Sequence, residues 1–144
     1  MFSYLRSLWI WVIGLLFFAV TAIIVSMSII IFRRETTAAI IRTMFKILIR
    51  LMGIRLEVKY ESPVRYDGPY LIMGNHQSLF DLFVIPAAIP LSFVGIQASY
   101  HFSFPFVGYL FKKWGNIPIQ RTHLSNAIHS LETARKTIEK EVSI

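Results

Sequence analysis

The sequence predicts an α/β domain over residues 55–144, preceded by a membrane-associated helical region over residues 1–54. Three observations carry this expectation. Residues 7–32 contain no charged side chain, and residues 34–53 repeat apolar residues at helical spacing beside a basic stripe. Beyond Gly53, short apolar runs alternate with helical patterns, the order of elements that builds an α/β sheet.

Composition supports the division. The chain is 55% hydrophobic with a mean hydropathy of +0.57, more apolar than an ordinary soluble domain. Its net charge is +7. Residues 1–54 hold six basic residues against Glu35 alone, and residues 55–144 hold nine against seven acidic ones. The excess positive charge therefore sits beside the most apolar segment, where attraction to anionic headgroups and burial of apolar surface act together. A nucleic-acid partner would instead call for basic and aromatic residues interleaved on one soluble face, a pattern absent here. With no cysteine, disulfide and thiolate chemistry are excluded. The absence of C-x-x-C and H-E-x-x-H spacings leaves a metal site without support.

The first element is the run from Ser7 to Phe32, SLWIWVIGLLFFAVTAIIVSMSIIIF. As a helix it is about 39 Å long at ~1.5 Å per residue, enough for a ~30 Å hydrocarbon core with some tilt. A cleaved signal peptide is the competing reading, but the run exceeds the usual apolar region and no A-x-A-like site comes after it. Arg33-Arg34 ends the run and only Arg6 precedes it, so the positive-inside tendency places the rest of the chain on the cytoplasmic side. Crossing the bilayer and entering one leaflet both remain open.

The second element, residues 34–53, carries Ile40, Ile41, Met44, Phe45, Ile47, Leu48, Leu51 and Met52 at helical spacing. Arg42, Lys46 and Arg50 stand at i, i+4 and i+8 and form a basic stripe, which fits a helix lying among headgroups or one packed on the domain. Gly53 is its expected C-cap.

Within the domain, Ile54–Tyr60 alternates like a half-exposed strand, and Tyr70–Met73 is a short run fit for a buried strand. Leu79–Ile89 reads as a helix ended by Pro90, with Pro86 straining it or placing its end earlier. Leu91–Ile96 reads as a strand, Phe104–Trp114 as a helix and Ile117–Gln120 as a strand. The closing helix, Ser125–Glu141, repeats Ala127, Ile128, Leu131, Ala134 and Ile138 on one face.

Candidate chemistry lies in Asn75-His76-Gln77-Ser78-Leu79-Phe80-Asp81, where a strand gives way to a helix, the usual place for reactive groups in such proteins. Five residues do not share a helical face. If His76 is in the loop and Asp81 in the first helical turn, however, the carboxylate can fold back to one imidazole nitrogen. It would then set the tautomer and leave the other nitrogen to take a proton from an attacking alcohol. Ser78-x-x-Asp81 equally fits a helix capping box, with His76 an ordinary loop residue.

NHQSLFD resembles the H-x-x-x-x-D block of the 1-acylglycerol-3-phosphate acyltransferase family. Three further features agree: the apolar run YLIMG before it, Gly115-Asn116-Ile117-Pro118-Ile119-Gln120-Arg121, similar to the family's second block, and Phe104-Pro105-Phe106-Val107-Gly108, similar to its P-F-x-G segment. The similarity covers roughly residues 45–142. It implies acyl transfer from a coenzyme A or acyl-carrier-protein thioester to a lysophospholipid hydroxyl, with no other cofactor and with phosphatidic acid or a related lipid as product. It also implies that His76 is the general base and Asp81 orients it, and that Arg121, Gly115, Asn75 and Ser78 lie at the substrate. Arg121 is the residue expected to hold the acceptor phosphate, which suits its bidentate cation. His101, His123 and His129 match no block and are read as surface or packing residues.

Two departures qualify the resemblance. Gln97-Ala98-Ser99-Tyr100-His101 replaces the family's usual lysine and glutamate, leaving donor and acceptor identity open. The third block, F-P-E-G-T-R, and the fourth do not occur in residues 1–144. The expectation is therefore the front part of an acyltransferase, with little activity alone. A catalytically silent, membrane-anchored protein that binds lipid or a partner through the same fold is the alternative.

Overall fold

The computed structural model describes residues 2–63, 65, 68–78, 80–120 and 124–144. These form five α-helices: α1 (Phe2–Ile31), α2 (Arg34–Leu51), α3 (Asp81–Ala88), α4 (Pro105–Trp114) and α5 (Leu124–Glu139). Two strands, β1 (Ile96–Ala98) and β2 (Ile117–Ile119), and a 3-10 turn at Ser99–Ser103 complete the described elements. The described chain is mostly helical, with a smaller sheet than expected. It divides into two compact units: Met1–Val64 with Asn75–Pro90, and Arg65–Gly74 with Leu91–Ile144.

In the first unit, α1 and α2 form an antiparallel hairpin along a seam of small residues. Gly14, Thr21 and Ser28 recur every seven residues on α1, so they share one face. Thr21 and Ser28 are fully buried. A Cβ on Gly14 would already meet Met52 Cγ at 3.4 Å, and near the turn the Thr37 hydroxyl donates to the Ser28 carbonyl at 2.9 Å. Small side chains let the two backbones approach, and a buried hydroxyl then reaches the neighbouring main chain. Thr37→Val should lower unfolding stability by about 1 kcal/mol, the usual net value of one such bond. Thermal denaturation of the detergent-solubilised protein checks this, and an unchanged transition would exclude the role. Most of the apolar window of α1 is not covered: only 11% of it is buried within the protein, where a soluble core helix would be mostly covered.

The C-terminus of α2 matches its expected glycine cap. Gly53 has φ +77°, its N–H donates to the Arg50 carbonyl, and the Ile54 N–H donates to Ile49, the paired bonds of a Schellman motif. Next, α3 packs on the hairpin through Phe83, whose ring meets Phe18 and Phe45 edge-on at centroid distances of 5.8 and 5.2 Å. Pro86 lies within α3 without ending it. The helix reaches Ala88, so of the two prolines only Pro90 limits it.

Two expected strands are corrected. Ile54–Tyr60 forms no strand: of the apolar positions of its alternation, Ile54, Val58 and Tyr60 are exposed and only Leu56 is half-buried, so little covered face holds it extended. Tyr70–Met73 is not buried either, since Leu71 and Met73 face outward. It nonetheless pairs in strand fashion in the second unit. The Ile72 N–H donates to the Ile144 carbonyl and the Ile144 N–H to the Tyr70 carbonyl, at 2.7 and 2.9 Å. On the other side of this terminal segment, Phe93 and Ser143 form a parallel bridge. The order continues through β1 and β2, parallel with Ile96 opposite Ile117. The strand expected at Leu91–Ile96 is thus displaced to Ile96–Ala98, because pairing with Ile117–Ile119 defines it.

The core of this unit is Val94, Ile117, Ala134 and Ile144, flanked by Trp114, Ile138 and Val142. The Trp114 indole donates to the Phe93 carbonyl, and the Ser130 hydroxyl donates to the Pro118 carbonyl, which ties α5 to β2. Only part of the expected α5 stripe is covered. Ala134 is buried, but Ile128 and Leu131 are exposed, and the side chain of Ala127 lies outside those described.

Candidate active site

The site is built at the start of α3. Phe80 is the N-cap residue and makes no side-chain capping bond. A full Ser78 capping box is therefore not formed. Ser78 instead accepts the Phe80 N–H on its hydroxyl at 3.2 Å, while the Asp81 N–H closes a turn onto the Ser78 carbonyl at 3.0 Å. That turn folds the Asp81 side chain back over the loop. One carboxylate oxygen, Oδ2, then accepts three hydrogens: from the Gln77 N–H at 2.8 Å, the Ser78 N–H at 3.0 Å and His76 Nδ1 at 2.6 Å. The five-residue separation closes because the histidine is in the loop and the aspartate in the first helical turn.

Charge-assisted bonds to main-chain donors explain the electrostatics. The Ser78 N–H, then the Gln77 N–H, then His76 hold the Asp81 carboxyl below the usual carboxylate range. A helix N-terminus also favours negative charge at this position. An ionised carboxylate only accepts, so the shared hydrogen belongs to Nδ1, and in the neutral imidazole that leaves the lone pair on Nε2. The Asp81 side chain is 20% exposed and that of His76 77%, so the imidazole is open to an incoming molecule. Since the folded carboxyl is depressed, the network's stabilisation is present above the unfolded carboxylate pKa and is lost as pH falls through the folded value. A carbon-13 titration of the Asp81 carboxyl should therefore have its midpoint below 3.8, the ordinary value. A midpoint at or above it would contradict the triple acceptance.

The far end of α3 is held by two residues that sequence reasoning did not single out for this purpose. The Tyr60 hydroxyl donates to the Ala88 carbonyl at 2.6 Å, and Arg42 Nε donates to the Ile89 carbonyl at 3.1 Å. Carbonyls at a helix C-terminus lack intrahelical partners, and a cation there opposes the helix dipole. Arg42 was readable only as part of the basic stripe, and no local pattern marked Tyr60.

The other expected site residues are distributed differently. Asn75 is exposed beside His76 in the same loop. Gly115 belongs to the second unit and has a backbone role there: with φ +95° it caps α4, donating to the Phe111 and Lys112 carbonyls. Arg121 lies outside the described residues, as does Leu79.

A family model described as Acyltransferase matches residues 55–144, and the chain belongs to that family, in its 1-acylglycerol-3-phosphate acyltransferase type. No curated protein and no solved structure matches the chain.

Proposed function

We propose that this domain transfers an acyl group from a coenzyme A or acyl-carrier-protein thioester to the free hydroxyl of a lysophospholipid such as 1-acylglycerol-3-phosphate, giving phosphatidic acid. The observation that carries the reading is His76 Nδ1 at 2.6 Å from an Asp81 oxygen already pinned by two main-chain N–H groups. His76 Nε2 takes the proton of the acceptor hydroxyl as its oxygen bonds to the acyl carbon. The tetrahedral intermediate collapses with cleavage of the C–S bond, and the departing sulfur receives that proton from the imidazolium. Asp81 keeps the tautomer and stabilises the transient cation. Arg121 holds the acceptor phosphate, with Asn75 and Ser78 beside the reacting groups.

In the same proposal α1 attaches the domain to the membrane, and the domain faces the cytoplasm. The exposed apolar surface of Ser7–Ile31 and the adjoining Arg33-Arg34 pair support this. The test is transfer of labelled acyl groups from acyl-CoA to lysophosphatidic acid in vesicles, with the family's third block supplied and with His76 intact or replaced by alanine. Loss of transfer with retained vesicle attachment is the expected result. Equal transfer by both proteins would favour the catalytically silent lipid-binding alternative.

A further inference from the structure

The second unit carries an exposed aromatic surface that neither its core nor the His76 site uses. Tyr100 is 63% exposed, Phe104 53%, Phe106 60% and Tyr109 51%. On α4, Phe106, Tyr109 and Lys113 stand at i, i+3 and i+7 and so share one face, while the opposite face holds buried Gly108 against the Phe102 backbone. The helix is therefore seated by its glycine and turns its aromatic side outward, the reverse of a helix that covers a core.

Charge indicates what covers this surface. No carboxylate occurs between Asp81 and Glu132, whereas Lys112 and Lys113 close α4 at its exposed end. The nearest acidic residues downstream, Glu132 and Glu139, lie on α5 and are paired with Arg135. Exposed phenyl and phenol rings bordered by lysines, in a stretch of sequence that carries no carboxylate, match a headgroup layer. Rings sit at the boundary there, and ammonium groups reach phosphates on flexible stems.

We propose that the Tyr100–Lys113 surface is a second membrane contact that docks the second unit on an anionic bilayer. This rests on the reading that α1 attaches the chain to the membrane. A tethered domain needs only a weak contact, because attachment raises its effective concentration at the surface.

The chain contains no cysteine, so single labels are straightforward. Phe106→Cys, Lys136→Cys on α5 and Leu16→Cys in α1 are each labelled with a nitrobenzoxadiazole dye. The full chains are then placed in phosphatidylglycerol–phosphatidylcholine vesicles containing doxyl lipid. Quenching at 106 should exceed that at 136 by at least about threefold, and should fall to the level of 136 in vesicles of phosphatidylcholine alone, as an electrostatic contact requires. Weak, equal quenching at 106 and 136 with strong quenching at 16 overturns the proposal while leaving the α1 attachment standing. Weak quenching at 16 removes the attachment itself and the proposal with it. A label at 106 that is shielded from aqueous iodide but untouched by doxyl lipid means that protein covers the face, and equal quenching in phosphatidylcholine alone excludes an anionic surface. Either result overturns the proposal.

Discussion

Replacing His76 by alanine is expected to lower the rate of acyl transfer by roughly 10²- to 10⁴-fold, the usual contribution of a positioned general base. The loss should fall on kcat and kcat/KM alike, because proton abstraction is an interaction of the transition state and not of substrate binding. Asp81→Asn is the more informative companion. A neutral carboxamide no longer stabilises an imidazolium, and its NH2 group can donate to Nδ1, which moves the ring hydrogen to Nε2 and removes the lone pair facing the alcohol. In the folded protein the same oxygen accepts the Gln77 and Ser78 N–H groups, so this substitution should also loosen the loop. His76→Ala should leave those two bonds intact. Steady-state kinetics on the vesicle-bound protein, with the third block supplied, separates the cases. Activity of H76A within about twofold of the parent would exclude the base role, given the size expected of it.

Gly108→Ala should be among the most destabilising single substitutions in the second unit. A Cβ built at this position meets the Phe102 carbonyl oxygen at 2.2 Å and its carbon at 2.7 Å, closer than real Cβ contacts allow. Both are backbone atoms, so no side chain can rotate away. Gly108 is also fixed in the first turn of α4 by its N–H bond to the Phe104 carbonyl at 2.7 Å. Either the 3-10 turn or α4 must shift, at a cost of about 1–3 kcal/mol or more by comparison with overpacked interiors. Gly68→Ala is the control, since nothing among the described residues lies within 4 Å of its added Cβ. It should change stability by no more than about 0.5 kcal/mol. Denaturant unfolding of both variants checks the contrast, and equal midpoints would mean that the Phe102 contact is not a constraint.

Gly108 also illustrates the limit of what contiguous residues reveal. Its place in a P-F-x-G segment was recognisable, but the reason for glycine was not, because Phe102 lies six residues earlier and meets it only when the 3-10 turn folds under α4. The helices were legible for the opposite reason. Their signal is local and periodic, so α2, α4 and α5 fall close to their expected bounds and α1 covers the expected run but begins five residues before it. Gly53 and its cap were readable because a glycine directly after an amphipathic run suits the left-handed conformation that closes a helix.

Strands were the poorer reading. Ile54–Tyr60 has the right alternation but no strand partner among the described residues, and the real pairing joins Tyr70–Ile72, Ser143–Ile144, Phe93–Val94 and Ile117, which are distant in sequence. Such pairing depends on which edges meet, and a strand's own residues do not state that. The α5 stripe was overread in the same way: periodicity marked Ile128 and Leu131 as apolar, but whether anything covers them is a property of the neighbours.

By itself the sequence determined the uncharged N-terminal helix, the basic amphipathic helix behind it, and the NHQSLFD and GNIPIQR segments whose spacing identifies the family. Each of these is written in contiguous residues and needs no partner to be read. The tertiary structure alone decided that the Ser78–Asp81 turn delivers one carboxylate oxygen to two N–H groups and His76 together, since spacing left capping and catalysis equally open. It alone decided that Tyr60 and Arg42 hold the far end of the same helix. Hydrogen bonds of that kind are set by where main-chain groups arrive in space, and residues that meet only after folding leave no period in the sequence.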